Sequence, residues 1–144
     1  MSQESGRPVE ELRDALFGRR CSVRRREHDW SFEFGTGCSL ATSSPWRLVG
    51  PERVLVTDAD DGQQFGLPEP VDAAQAANTA LADVAIEAIA VAAVTADLTI
   101  MFAGGVRLEV WTGSSGYEAW QAVFPGPAGE RSLIAMGGGA LAIL

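Results

Sequence analysis

Two stretches of the chain can be laid over each other at one constant offset. Asp29-Trp30-Ser31-Phe32-Glu33-Phe34-Gly35-Thr36-Gly37-Cys38-Ser39-Leu40 matches Asp97-Leu98-Thr99-Ile100-Met101-Phe102-Ala103-Gly104-Gly105-Val106-Arg107-Leu108, with Asp, Phe, Gly and Leu recurring in register. Farther on, Ser44 to Val49 falls over Tyr117 to Val123 with Trp46 opposite Trp120, once an insertion near Gly113 to Gly116 is allowed. Upstream, Leu12 to Phe17 matches the helical pattern around Ala80 to Ala82. Self-similarity of this kind restricts a chain to two copies of one supersecondary unit. The competing explanation is chance resemblance between two amphipathic hairpins.

Each copy reads with the same grammar. Glu10 to Phe17 places Leu12, Ala15 and Leu16 on one face at helical spacing, with Pro8 near the start and Gly18 at the end. The second helix opens at Asp72, an N-cap residue after Pro70, and runs through alanine-rich sequence to about Ala82. Trp30, Phe32 and Phe34, like Leu98, Ile100 and Phe102, alternate with less apolar neighbours, the period of a strand with one buried face. Thr36-Gly37 and Gly104-Gly105 supply tight turns, because glycine accepts the positive φ that short hairpin loops demand. Return strands follow at Cys38 to Ala41 and Val106 to Trp111, then Trp46 to Val49 and Glu118 to Phe124, then Arg53 to Thr57 and Ser132 to Met136. Val84 to Val94 reads as a strand, with helical continuation as the alternative. Ala140 to Leu144, after Gly137-Gly138-Gly139, reads as a last buried strand. The expected fold is α+β: one domain over residues 1–144, built of two tandem helix-plus-antiparallel-meander repeats related by a pseudo-twofold axis. The halves cover about 8–58 and 72–144 and are joined by the loop 59–71.

Composition narrows the function. A 47% apolar content in 144 residues suffices for one core, and 19 acidic against 11 basic side chains leave a charge of −8. That balance argues against nucleic acid and anionic membranes as partners. The apolar run Ala88 to Val94 is far short of the roughly 20 residues that cross a bilayer. The N-terminus lacks the basic-then-apolar order of a secretory signal, so a cytoplasmic location is expected. Two cysteines and one histidine cannot supply a four-ligand zinc site of Cys and His type.

Plain structural roles compete with functional ones at each candidate residue. Cys38 with His28 and Asp29 has the residue types of a nucleophile, a base and an orienting acid, but Cys38 lies on an apolar strand face where free cysteine acts as a small hydrophobe. Asp58-Ala59-Asp60-Asp61-Gly62 with Glu69 has the carboxylate density of a calcium loop, yet Gly62 and Gln63 fall where a ligand and the turn glycine belong. Gly137 to Gly139 precedes no helix, so it reads as a turn and not a phosphate cradle. Neither a metal nor a cofactor is expected. Arg19, Arg20, Arg24, Arg25 and Arg26 form a basic cluster, read either as a patch for phosphate or an acidic partner, or as a solvated strand face or one pairing with the acidic second half of the chain. Trp111 shares strand parity with Arg107 and Glu109 and so projects from the non-core face. With Tyr117 and Trp120 nearby it is the candidate anchor of an interface, since Trp and Tyr dominate contact hot spots. Glu118, Asp60 and Asp61 complete the expected partner-binding set.

The motifs Trp30-x-Phe32-x-Phe34-Gly35, Pro45-Trp46-Arg47, Gly116-Tyr117-Glu118-x-Trp120 and the late glycine run resemble a family of small uncharacterised bacterial proteins. The likeness runs from about Asp29 onward and implies no activity. Small acidic bacterial proteins of this size also look like immunity proteins, which cover a toxin's basic surface. The leading expectation is therefore a non-catalytic protein-binding module masking a basic partner. The alternative is a small-molecule-binding protein or an enzyme using Asp97, Glu109 or Glu118 in a cleft between the halves. A homodimer through the apolar segment Ala140 to Leu144 is a third expectation.

Overall fold

The computed structural model describes residues 2–144, and side chains from Arg7 onward. The order is α1 (Ser2–Leu16), β1 (Ser22–Arg25), β2 (Trp30–Glu33), β3 (Ser39–Thr42), β4 (Trp46–Val49), β5 (Val54–Thr57), α2 (Ala73–Leu81), β6 (Ile86–Val91), β7 (Leu98–Phe102), β8 (Arg107–Val110), β9 (Trp120–Gly126), β10 (Gly129–Ala135) and β11 (Leu141–Ile143). The fold is α+β, with every strand pairing antiparallel. Among the described residues no helix is long and apolar enough to cross a membrane.

One sheet is six-stranded in the order β1-β2-β3-β9-β10-β11, and the other is five-stranded in the order β5-β4-β8-β7-β6. Exchanging β1–β5 for β6–β10 converts the order of the five-stranded sheet into that of the six-stranded one less its edge strand β11. The two halves are thus not self-contained meanders. After β3 the chain leaves its own sheet, and β4 and β5 complete the sheet of β6–β8. In turn, β9 and β10 complete the sheet of β1–β3. The reason is burial: a three-stranded sheet with one apolar face gains most by extending in register and closing against another.

The inner faces meet in one continuous apolar cluster. Trp30 of the first sheet and Trp46 of the second pack edge-to-face at 5.0 Å, and Phe32 meets Trp46 in the same manner at 5.4 Å. The helices close the sides: α1 packs on β9 and β6, and α2 on β1 and β5. Helix α1 extends upstream of the expected Glu10 start, with Pro8 inside it. Proline's fixed φ is already helical, and what it lacks is an N–H. Helix α2 begins where expected, the Asp72 carboxylate accepting from Gln75 N at 3.0 Å. Val84 to Val94 contains strand β6 and no helical continuation. Strand β11 lies at a sheet edge and is partly exposed, so the last strand is not buried as expected.

The arginine-rich stretch after α1 forms β1, whose free edge is blocked by one side chain of α2. Asn78 accepts from Val23 N at 2.6 Å and donates to Val23 O at 2.9 Å, so a carboxamide stands in for a neighbouring strand. Replacing it leaves both backbone groups of Val23 unpaired in a part-buried setting. Asn78→Ala should therefore lower stability by about 1–2 kcal/mol in denaturant unfolding. An unchanged midpoint would show that the edge needs no cap.

Candidate functional site

Antiparallel pairing sends successive chain reversals to opposite ends of a sandwich. The connections 26–29, 43–45, 58–72, 92–97, 111–119 and 136–140 all leave from one end, whereas the glycine-rich hairpins 34–38 and 103–106 lie at the other. The loop-bearing end collects most of the residues expected to bind a partner. Trp111, Tyr117 and Glu118 share one loop, Asp60 and Asp61 occupy another, and Trp120 begins the strand beneath.

These loops are tied together across the two sheets. Trp111 N donates to Pro45 O at 3.0 Å, Gly138 N to Ser114 O at 2.9 Å and Thr42 Oγ1 to Ala119 O at 2.6 Å. The Trp120 indole donates to Ala96 O at 2.9 Å. That bond holds a buried alanine in the left-handed region, at φ 61°. Gly139 is seated so closely on Val94 that an added Cβ would lie 2.1 Å from its carbonyl oxygen.

Aspartates fasten the same loops. Asp58 accepts from Trp46 N at 3.1 Å, Asp60 from Thr57 N at 2.9 Å, Asp61 from Ala73 N at 2.9 Å and Asp97 from Thr112 N at 2.8 Å. Asp61 also lies 3.8 Å from the Arg25 guanidinium. Asp29 takes two 2.7 Å hydrogen bonds from Arg26, which hold its carboxyl below the ordinary range. These carboxylates gather at one end of the sandwich, so the loops form an acid-rich surface on a cross-tied frame. Glu69 and Glu118 make no hydrogen bond or ion pair among the described residues, and Glu27 faces only His28, at 3.7 Å.

Among these acids stand exposed apolar side chains. Tyr117 is 83% exposed, Phe65 68% and Trp111 39%, with Leu67, Val94 and Met136 also open to solvent. Arg47 covers one face of Trp111 at 4.7 Å, leaving the indole oriented and half open. Phe65 sits at φ 49°, a left-handed backbone that holds an aromatic outward in the acidic loop. Two recesses indent this end. One of about 250 Å3 is lined by Arg25, His28, Asp29, Trp30, Ser43, Asp58 and Asp61. The other, about 360 Å3, is lined by Thr95, Thr112, Gly113, Ser114, Ser115 and Gly138.

Several sequence expectations change. Trp120 is wholly buried and its indole is bonded within the chain, so it supports the end from beneath and meets no partner. Asp60 and Asp61 are half-buried caps of the chain's own backbone. Phe65, Leu67, Val94 and Met136 were missed, because loop exposure leaves no periodic signal. Among the arginines, Arg24 pairs with Glu33 at 3.0 Å, Arg25 stacks on Trp30 at 5.0 Å and Arg19 donates to Ala15 O and Phe34 O. The cluster is thus largely a paired strand face.

The catalytic alternatives find no assembled geometry. His28 belongs to the loop-bearing end and Cys38 to the hairpin at the other. Burial pushes the Cys38 thiol up, with nearby Arg19 opposing it, and carries that of Cys21 up to about 12, Glu33 adding to the effect. Among the described residues no His, Cys, Asp and Glu side chains cluster in threes able to hold a metal ion. Asp97 is spent on Thr112, Glu118 is open to solvent, and Glu109 lies between Arg47 and Arg107, each 2.6 Å away. Comparison with known proteins finds no matching family model, no matching curated protein and no matching solved structure.

Burial tends to raise the Glu109 carboxyl, but the hydrogen bonds from Arg107 and Arg47 outweigh it and hold the group below its ordinary value. A depressed folded pKa contributes stability that is present above the unfolded value, about 4.3, and lost as pH falls through the folded one. The parent chain should therefore lose stability more steeply below about pH 4.3 than Glu109→Gln, which should already be weaker at pH 7. Unfolding at a series of pH values checks this; parallel profiles would show that the paired arginines contribute nothing.

Proposed function

We propose that the chain is a non-catalytic protein-binding module that masks a basic surface of its partner, in the manner of an inhibitor or immunity protein, within the cytoplasm. One observation carries the reading: acid-rich loops cross-tied at one end of the sandwich present Tyr117, Phe65 and Trp111 amid carboxylates. A rigid frame lowers the ordering cost of association, aromatic anchors supply contact area, and the surrounding charge steers a cationic partner and fixes its orientation. The resemblance to small bacterial proteins adds no activity to this picture. The single buried cluster linking both halves supports reading residues 1–144 as one domain, and the matching strand orders support a pseudo-twofold relation between the halves.

Clean probes of the surface are the side chains that do no structural work. Reversing Asp60 or Asp61 would release the backbone of Thr57 or Ala73, confounding binding with folding. A combined Glu27→Arg, Glu69→Arg and Glu118→Arg variant leaves every backbone cap intact, as does Tyr117→Ala with Phe65→Ala. The tagged parent should capture a basic protein at low salt and release it at high salt. Each variant should weaken that capture by about tenfold or more, equivalent to about 1.4 kcal/mol. Glu52→Arg with Asp83→Arg, which alters exposed acids outside these loops, should leave it unchanged. Salt-insensitive capture, or equal loss with the Glu52 and Asp83 pair, would overturn the reading.

A further inference from the structure

Antiparallel sheets that do not close expose their outermost strands, and natural proteins obstruct such edges. Three of the edges here are partly obstructed. Asn78 fills the edge of β1 at Val23. On β6, Ile86 O accepts from Gly18 N and Ile86 N donates to Arg19 O, both at 2.8 Å. Helix α2 lies along β5.

Strand β11 is different. On its inner side Ser132 and Leu144 exchange hydrogen bonds in both directions, at 3.1 and 2.8 Å, and Met136 N donates to Ala140 O at 2.7 Å. Antiparallel alternation then turns the N–H and C=O of Leu141 and Ile143 outward. Among the described residues neither has a hydrogen-bond partner there. The strand carries no protecting charge, proline or bulge, and no charged residue occurs from Ser132 to Leu144. On a chain of net charge −8, this is a stretch whose side chains bring no like charges together in a second copy.

We propose that β11 is a homodimerisation edge, at which two copies pair antiparallel about a twofold axis through Ala142, fusing their six-stranded sheets into one. The edge matches itself in that register. Leu141 and Ile143 of one copy exchange hydrogen bonds in both directions with Ile143 and Leu141 of the other, while Ala142 faces its own counterpart at a non-hydrogen-bonded position. Leu141 and Ile143 also lie side by side across the junction. A strand of three residues makes a small contact, so the dimer is weak and concentration-dependent. The inference is independent of the acidic end, because it uses neither its charge nor its aromatics.

Sedimentation of the full chain from about 10 to about 500 μM should show conversion from one to two chain masses with a Kd in that range. Ile143→Pro removes an outward N–H and none of the bonds to β10, so it should remain folded by circular dichroism and stay monomeric throughout. Ala142→Cys places two thiols at a non-hydrogen-bonded pair with Cα atoms about 4.5 Å apart, within disulfide reach. Mild oxidation should therefore crosslink it into a covalent dimer, whereas Leu141→Cys and the parent, with Cys21 and Cys38 buried, should not crosslink. A parent that stays monomeric, an Ile143→Pro variant that dimerises as well as the parent, crosslinking at 141 but not 142, or growth beyond two copies would each overturn the proposal. Should Ile143→Pro unfold, the cysteine pair alone decides.

Discussion

Strands β9 and β10 extend the sheet of β1–β3, and β4 and β5 extend that of β6–β8; the remaining features depend on this exchange. Each half thereby lends its later strands to the sheet of the other, so neither can bury its apolar face alone. The first residues of the lent strands are Trp46 and Trp120, and both are wholly buried. Trp46 brings the second sheet against Trp30 and Phe32 of the first. Trp120 bonds across to Ala96 on the β6–β7 connection. Two tryptophans therefore lock the crossing in both directions, and the loops around each are held in place by the crossing itself.

That exchange also separates framework from exposed surface. The crossing connections 43–45 and 111–119 leave at the same end as the long loop 58–72, so the irregular backbone gathers where the sheets hand strands to each other. Irregular backbone has no ladder to satisfy its N–H groups, and here carboxylates take that role at Trp46, Thr57, Ala73 and Thr112. The acidity of this end is in good part a consequence of how its loops are held. Binding to a basic surface would use a field that folding already requires.

Period-two alternation at Trp30 to Phe34 and Leu98 to Phe102 was enough to assign strands and their buried faces, and the Asp72 signal placed α2. The resemblance between the Trp46 and Trp120 segments carries no information on which strands they pair with. Alternation tells which face of a strand is apolar, and both sheets offer the same kind of face, so a meander and an exchanged pair read alike. Trp120 is a different case. Its neighbours Tyr117 and Glu118 are exposed, whereas Trp120 shares the buried face of β9 with Ala122 and Phe124, a parity that its own strand already displays. By contrast, Glu109 meets Arg47 across β4 and β8, a contact between residues far apart in the chain that no local pattern encodes.

Side-chain length offers a finer reading of the acidic loops. A carboxylate one methylene from the backbone reaches an N–H a few residues away with little freedom to lose, which is why aspartate competes well for caps and turns. Glutamate's longer stem makes such short loops entropically costly. The structure follows this division: Asp58, Asp60, Asp61, Asp72 and Asp97 each hold a backbone N–H, whereas Glu69 and Glu118 hold none. Aspartates in these loops therefore belong to the framework and glutamates to the surface. Counting all the acids as one patch overstates what a partner can touch, yet the fixed aspartates still contribute their field. A cationic partner would then feel the whole loop-bearing end at long range but contact chiefly its glutamates and exposed aromatics.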